Sequence, residues 1–267
     1  MTASKAPDAW DSGDAYERYV GRWSRHVARP FLDWLAAPAQ ATWADIGCGT
    51  GALTSTILAV AEPASVMGVD ASPRFVEQAR QRVTDPRARF EPGDATRLPW
   101  PADAVCCSVS GLVLNFVPDH AAMVREMARV TQPGGTVALY VWDYADGMQM
   151  MRTFWDAAAQ VDPAGTQFDE SQRFPICKPE PLRALFQQVG LTDVATRPID
   201  IATVFADFAD YWLPFLGRTG AAPAYLATLA EAVQQRIRAR LATQLRAASD
   251  GRIAMTARAW AVRGIVA

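Results

Sequence analysis

Ala44-Asp45-Ile46-Gly47-Cys48-Gly49-Thr50-Gly51 is the stretch from which the rest of the chain is read. An apolar run from Ala41 to Ile46 leads into three glycines at alternate positions. A helix-competent segment over 52–60 follows. This order reads as strand, tight turn, helix. A helix N-terminus offers free backbone N–H groups, and glycines let a ligand approach the main chain. The stretch therefore proposes a bound small molecule.

Outward from it, the same pattern repeats. Residues 65–70 form a short apolar strand ending on Asp70. Ser72-Pro73 then starts a helix, with Ser as N-cap and Pro at the first helical position. Its inner face is Phe75, Val76, Ala79 and Val83. Further strands are expected at 88–91, 105–110 and 136–142, and a helix over 119–130 with Met123, Val124, Met127 and Val130 inward. Gln132-Pro133-Gly134-Gly135 is expected to stop that helix and turn the chain. Strands alternating with helices predict an α/β fold: a doubly wound, mostly parallel sheet covered on both faces.

On the N-terminal side, residues 1–13 read as a loose tail. A helix over 24–35 follows, and Pro30 is expected to kink or restart it. On the C-terminal side, residues 143–178 are rich in Met, Trp and Phe without a clear strand. A helix over 181–189 ends at Gly190. A strand over 193–201 contains Pro198, which favours an edge or a bulge. Leu226, Leu229, Val233, Ile237, Leu241 and Leu245 predict one long helix over 223–248. Residues 252–266 close the chain as a strand.

Composition sets the class. The chain has 267 residues, 50% of them hydrophobic and 20% charged, an ordinary globular mixture. A net charge of -2 gives no bulk attraction to nucleic acid or to an anionic membrane. The polar N-terminus lacks the apolar core of a secretory signal, and no apolar run is long enough to span a bilayer. A cytoplasmic protein with a small-molecule partner, no nucleic acid and no membrane is expected. Cys48, Cys106, Cys107 and Cys177 form no Cys-x-x-Cys pair, and His26 and His120 are not at zinc-ligand spacing, so no metal is expected. Cys106-Cys107 reads as part of a buried strand. The sequence assigns no oligomeric state.

Two ligand classes use a glycine turn after a first strand. A dinucleotide site has Gly-x-Gly-x-x-Gly, with the pyrophosphate on the helix N-terminus. Here the spacing is Gly47-x-Gly49-x-Gly51, and Asp45 stands two residues before it. A carboxylate there repels pyrophosphate and suits an ammonium group. Asp70 can accept both ribose hydroxyls. The site therefore favours a phosphate-free nucleoside with a cationic end, and S-adenosylmethionine fits that description.

Four motifs in order then carry a resemblance: Asp45 to Gly51, Gly68-Val69-Asp70-Ala71-Ser72, Gly93-Asp94-Ala95, and Arg129-Val130-x-x-Pro133-Gly134-Gly135. The set resembles the class I S-adenosylmethionine-dependent methyltransferases, in the branch with small-molecule and quinone-biosynthesis enzymes. The resemblance is strong over 41–142 and loose elsewhere. It implies a seven-stranded Rossmann-like sheet with a helical cap. By the same resemblance, Asp45, Gly47 and Gly49 line the methionine part, with Cys48 and Gly51 completing the loop. Asp70 binds the ribose hydroxyls and Ala71, followed by Ser72, touches the adenine. Asp94 accepts from the adenine amino group with Ala95 beside it. The backbone at Ser110, Gly111 and Leu112 lies under the sulfonium. The plainer alternatives are a simple tight turn for the glycines and capping or turn acids for Asp70 and Asp94. Two features depart from the family: Cys106 stands where an acid usually begins the fourth strand, and an insertion over about 203–249 separates the last two strands.

The division expected is 1–40 as a helical segment over the cofactor, 41–142 as the cofactor-binding core, 143–180 with 203–249 as a cap, and 181–202 with 250–267 completing the sheet. Tyr16, Tyr19, Arg22 and Trp23 precede the first strand, and Tyr19 and Trp23 are candidates to cover the cofactor. Asn115, Phe116, Trp142, Tyr144, Trp155 and Trp212 are candidates to meet an apolar or aromatic substrate; packing the cap is the alternative for each. His120, Asp143 and Tyr144 are candidates for a general base, required only if the nucleophile arrives protonated. Methyl transfer to O, N or C of a small molecule leads. RNA or protein methylation is the alternative within the fold, and Asn115-Phe116-Val117-Pro118 lacks the Asn-Pro-Pro-aromatic motif of many such enzymes. A nicotinamide-dependent reductase and a non-catalytic cofactor binder are the remaining readings.

Overall fold

The structure is a computed structural model that describes residues 17–218 and 220–267. Tyr16 and the polar tail lie outside the described residues. The strands are β1 (Thr42–Ile46), β2 (Ser65–Asp70), β3 (Ala88–Pro92), β4 (Val105–Gly111), β5 (Thr131–Trp142), β6 (Thr192–Phe205) and β7 (Ile253–Ile265). The longer helices are α1 (Arg22–Leu35), α2 (Ala52–Val60), α3 (Pro73–Arg82), α4 (His120–Val130), α5 (Gln149–Val161), α6 (Pro179–Gln188), α7 (Ala221–Thr228) and α8 (Glu231–Gln244).

The strands form one seven-stranded sheet in the order β3-β2-β1-β4-β5-β7-β6. β1 pairs in parallel with β2 and β4, β2 with β3, and β4 with β5. β7 runs antiparallel to β5, from Thr136 opposite Ile265 to Trp142 opposite Ala259. The winding reverses between β1 and β4. In such sheets a crevice opens outside the strands' carboxyl ends at that reversal. β6 lies at the sheet edge, the position that the Pro198 in it favours.

The chain divides into two compact units. The first, the sheet unit, comprises 25–142, 176–199 and 259–267. Its buried residues follow the expected stripes: Leu53 and Ile57 on α2, Val76 and Ala79 on α3, and Met123, Val124, Met127 and Val130 on α4. Ser72 caps α3 by accepting from the Phe75 amide, and Asp119 caps α4 by accepting from the Ala122 amide. Phe75 and Val60 are only half-buried. The second, the aromatic unit, comprises the described residues up to Ser24 with 143–175 and 200–258. Phe215 is its hub: Phe154 stacks on it at 4.5 Å, and Tyr211 and Tyr19 meet it at 5.3 and 5.5 Å.

Four expectations change. α1 runs unbroken through Pro30. Pro30 is exposed, and Val27, Phe31 and Leu35, at steps of four, bury the opposite stripe; that packing offsets the missing backbone bond. β5 begins at Thr131, not 136: Thr131 pairs with Val105 and Thr136 with Cys107, so residues 132–135 form a bulge between two paired positions. β6 extends to Phe205, beyond the expected end at 201. The long helix is two helices, α7 and α8, because Leu229 and Ala230 are extended. The Gln234 side chain donates to the freed Leu229 carbonyl, and Thr228 donates to the Tyr225 carbonyl. Cys106 leaves the start of β4 well tied: its amide donates to Thr42 Oγ1 at 3.0 Å, and that hydroxyl contacts its sulfur.

Candidate functional site

A cavity of about 490 Å³ opens at the carboxyl ends of the parallel strands in the sheet unit. Gly47 follows β1, Asp70 ends β2 and Ala71 follows it, Gly93, Asp94 and Ala95 follow β3, and Val113 and Phe116 follow β4. All of these residues line it. Five of them, Gly47, Asp70, Ala71, Asp94 and Ala95, are sequence candidates for the cofactor.

The glycine turn uses its own amides. Gly47 and Cys48 both donate to the Val69 carbonyl, Gly51 donates to Cys48, and Gly49 donates to Asp70 Oδ2 at 2.9 Å. A pyrophosphate cradle needs those N–H groups free and pointing at the ligand. Here they stitch the turn to β2 and its terminal acid. Gly47, Gly49 and Gly51 all have positive φ (72°, 53° and 83°). A side chain at Gly47 meets Val113 at 2.5 Å and one at Gly51 meets Val83 at 2.8 Å, whereas a Cβ at Gly49 would have nothing within 4 Å among the described residues. Gly49 thus has open space where a side chain would stand.

Asp45 is 1% exposed. Its Oδ2 accepts from the Thr54 amide and hydroxyl at 3.1 and 2.7 Å, while Oδ1 has no partner among the described residues. The carboxylate therefore stands at the amino end of α2, where a ligand phosphate would otherwise sit. Burial pushes its pKa up to about 7; the Thr54 bonds oppose that and the Asp70 charge adds to it. A buried carboxylate with one oxygen unpartnered is stabilised by a nearby cation. The role in capping α2 has no signal in the glycine motif.

Asp70 Oδ1 accepts from Ser72 N at 2.8 Å, and burial raises its pKa while the Ser72 and Gly49 amides oppose the rise. Asp94 is exposed and closes a turn, accepting from the Thr96 amide and hydroxyl at 2.8 Å, which lowers its pKa. Each acid is thus a turn acid and also part of the cavity wall.

Other candidates fall elsewhere. The Cys48 side chain packs with Val76, Ala79, Val83 and Phe90 rather than into the cavity. Ser72 caps α3, and the Ser110 hydroxyl donates to the Ile46 carbonyl at 2.7 Å. Leu112 holds a left-handed φ of 64° just past β4, where its amide donates to Tyr140. Non-glycine residues rarely adopt that conformation, and they cluster at binding sites. A side chain at Gly111 would strike the Tyr140 hydroxyl at 2.5 Å. Phe116 lines the cavity. Asn115 is buried, with Nδ2 unpartnered among the described residues. Val69, Gly93, Thr96 and Val117 also line the cavity and were not sequence candidates. Their signal is position, one or two residues from a strand-terminal acid or loop.

Tyr19, Trp23, Tyr144, Trp155 and Trp212 all belong to the aromatic unit. Tyr19 packs on Phe215, Trp23 on Phe205, Tyr144 on Phe174, Trp155 on Phe154 and Trp212 on Phe215. Trp142 is buried at the end of β5. Among the base candidates, Asp143 is buried and accepts from the Asp146 amide, closing a turn. His120 opens α4, and burial lowers its pKa.

A family profile described as a methyltransferase domain matches residues 44–139, the span from β1 to β5. The chain is 32% identical over 183 residues to a demethylmenaquinone methyltransferase of Roseiflexus, covering 62% of this chain and 75% of that one. It is 37% identical over 142 residues to a trans-aconitate 2-methyltransferase of Streptomyces coelicolor, covering 49% of this chain and 45% of that enzyme. The match thus spans less than half the length of the Streptomyces enzyme. In fold it is similar to a Haemonchus contortus phosphoethanolamine N-methyltransferase 2 in complex with S-adenosyl-L-methionine. The TM-score there is 0.58 at 16% identity, over 94% of this chain and 56% of that one. With the sheet order and the engaged glycine turn, these likenesses place the chain in a family: it belongs to the class I S-adenosylmethionine-dependent methyltransferases.

Proposed function

We propose that this chain transfers a methyl group from S-adenosylmethionine to O, N or C of a small apolar or aromatic molecule. The observation that carries the reading is the donor set of the cavity. It has acids at the ends of β2 and β3, and beside it stand a buried carboxylate with one unpartnered oxygen and a glycine turn whose amides are not free for phosphate.

In this reading Asp70 accepts from the ribose hydroxyls with the lone pairs its two amide bonds leave. Asp94 accepts from the adenine amino group through its free carboxylate edge. Asp45 Oδ1 balances the ammonium of the methionine end, and Gly49 gives that end access to the backbone. Val69, Ala71, Val113 and Val117 flank the base with apolar surface. The cofactor supplies an electrophilic methyl on a sulfonium, with a neutral thioether as leaving group. The protein's part is alignment and exclusion of water. The relatives are named for trans-aconitate and for demethylmenaquinone, both small molecules. The aromatic unit, with its buried tyrosines and tryptophans, is assigned to the acceptor.

Radiolabelled methyl transfer into small-molecule extracts tests this, with an RNA and a protein fraction run in parallel. Label is expected in an organic-extractable small molecule. Label confined to RNA or protein would overturn the acceptor class, and no transfer into any fraction would leave a cofactor binder.

A further inference from the structure

The net charge of -2 hides a local asymmetry. Between Leu213 and Arg246, all within the aromatic unit, stand five arginines and one acid, Glu231. Arg236, Arg238 and Arg240 are exposed on α8, and Arg218 is exposed shortly before α7. Elsewhere arginines pair with acids, as Arg87 does with Asp85 and Arg258 with Asp200. Among the described residues no side chain pairs with Arg218, Arg236, Arg240 or Arg246. A run of one sign is commonly a solvated helix face, so charge alone assigns nothing.

Beside these cations the unit exposes apolar surface. Leu213 is 60% and Leu216 47% exposed, two of the four large hydrophobic side chains so exposed among the described residues. They lie on the 3₁₀ helix Leu213–Gly217, where residues three apart stand on one side. Leu216 and Arg218 line one groove of about 130 Å³ with Phe215, Leu226, Ala227 and Gln234. Arg238 is one turn beyond Gln234 on the same side of α8, and its guanidinium lies over the Phe208 ring at 5.6 Å. Phe208 opens the short helix that runs into Leu213. The exposed leucines thus have Arg218 in their groove and Arg238 near its α8 wall. Exposed apolar surface with a polar rim marks a docking face. Two leucines fall well short of the ~800 Å² per partner that a stable protein interface buries. Ringed by arginines, they match an anionic bilayer, where apolar side chains enter the acyl boundary and guanidinium groups meet phosphates.

We propose that Leu213, Leu216, Arg218 and the arginines of α8 dock this chain on an anionic phospholipid surface. The two leucines enter the boundary between headgroups and acyl chains, and the arginines hold lipid phosphates around them. Two leucines and a few arginines give a reversible, salt-sensitive attachment rather than permanent anchoring. The Debye length of about 8 Å at physiological salt lets this patch act apart from the acids elsewhere in the chain. The inference goes beyond methyl transfer and rests on that reading only for its purpose, which is access to an acceptor dissolved in a bilayer. The docking itself needs no cofactor.

The test sediments the full chain with vesicles of phosphatidylcholine, alone or mixed with phosphatidylglycerol, and titrates it separately with S-adenosylhomocysteine. Binding is expected to the mixed vesicles only, and to weaken about tenfold or more between about 0.1 and about 1 M NaCl. Leu213→Ser with Leu216→Ser, and Arg218→Gln with Arg238→Gln, are each expected to weaken it about tenfold or more. Arg89→Gln with Arg197→Gln removes the same charge at exposed positions of the sheet unit and is expected to leave vesicle binding unchanged. S-adenosylhomocysteine affinity is expected to be the same in all four proteins. No binding to the mixed vesicles, or equal binding to both kinds, would overturn the proposal in the wild-type chain alone. So would patch variants that bind as the wild type does, or an equal loss in the sheet-unit variant. Self-association without vesicles, abolished by the leucine substitutions, would assign the face to a second copy and overturn the proposal. Vesicle binding as expected without S-adenosylhomocysteine binding would overturn the methyltransferase reading and support this surface.

Discussion

The Gly49 amide donates to Asp70 Oδ2 at 2.9 Å and so ties the turn after β1 to the acid that ends β2. One carboxylate thereby shapes the loop and lines the cavity, and in the proposed reading it also accepts from the ribose. Asp70→Ala removes both functions. Calorimetry with S-adenosylhomocysteine is expected to show a loss of about tenfold to a hundredfold in affinity, the scale of one or two hydrogen bonds to a charged group. Unchanged affinity would show that the ribose lies elsewhere.

Gly49 and Gly51 separate binding from folding. Gly49 has open space where a side chain would go, whereas Gly51 would press a Cβ onto Val83 at 2.8 Å. Gly51→Ala is expected to cost about 1–3 kcal/mol in urea unfolding, from overpacking added to the left-handed backbone. Gly49→Ala pays only the backbone cost, and its larger effect is expected on S-adenosylhomocysteine affinity. The reverse ranking would place the ligand away from the turn.

Asp45 gives a pH dependence. Its folded pKa is up at about 7 against an ordinary 3.8, so the folded chain holds this proton more tightly than the unfolded chain. Its contribution to stability is full below about pH 4 and is lost as pH rises through about 7. A cation beside Oδ1 favours the ionised form. Affinity for S-adenosylhomocysteine is therefore expected to rise with pH up to about 7 and then level off. Glu170 titrates in the same window, so the readout is the difference between wild type and Asp45→Asn. Affinity curves of the same slope in both proteins would remove Asp45 from the ligand.

Arg129 belongs to the fourth sequence motif, and the structure gives it a mechanical role. It donates to the Trp100 carbonyl at 2.9 Å and the Leu98 carbonyl at 3.3 Å, and it pairs with Glu126, which accepts from the Leu98 amide. The planar guanidinium thus holds the 98–100 loop against α4. Arg129→Ala is expected to destabilise by about 1–3 kcal/mol, and Arg129→Lys to recover little, because a single ammonium cannot match the fork. Full recovery by lysine in thermal unfolding would reduce the contact to simple charge.

The sheet unit was legible because its signals are local. Ser72-Pro73 starts a helix by its own chemistry, the apolar face of α4 repeats at helical spacing, and Asp70 ends a strand. The break between α7 and α8 has no such signal: neither Leu229 nor Ala230 is a breaker, and the apolar spacing continues across them. Pro30 misled in the opposite sense, since burial of Val27 and Phe31 outweighs one missing bond. At the site, the strand-terminal acids were legible, but the capping of α2 by Asp45 depends on Thr54, nine residues on.

The central claim is a phosphate-free, cationic nucleoside in the cavity after β1, β2 and β3. Calorimetric titration of the wild-type chain with S-adenosylhomocysteine and, separately, NADH tests it most directly. The account predicts saturable one-site binding of S-adenosylhomocysteine and no heat from NADH; tight NADH binding with no response to S-adenosylhomocysteine would contradict it.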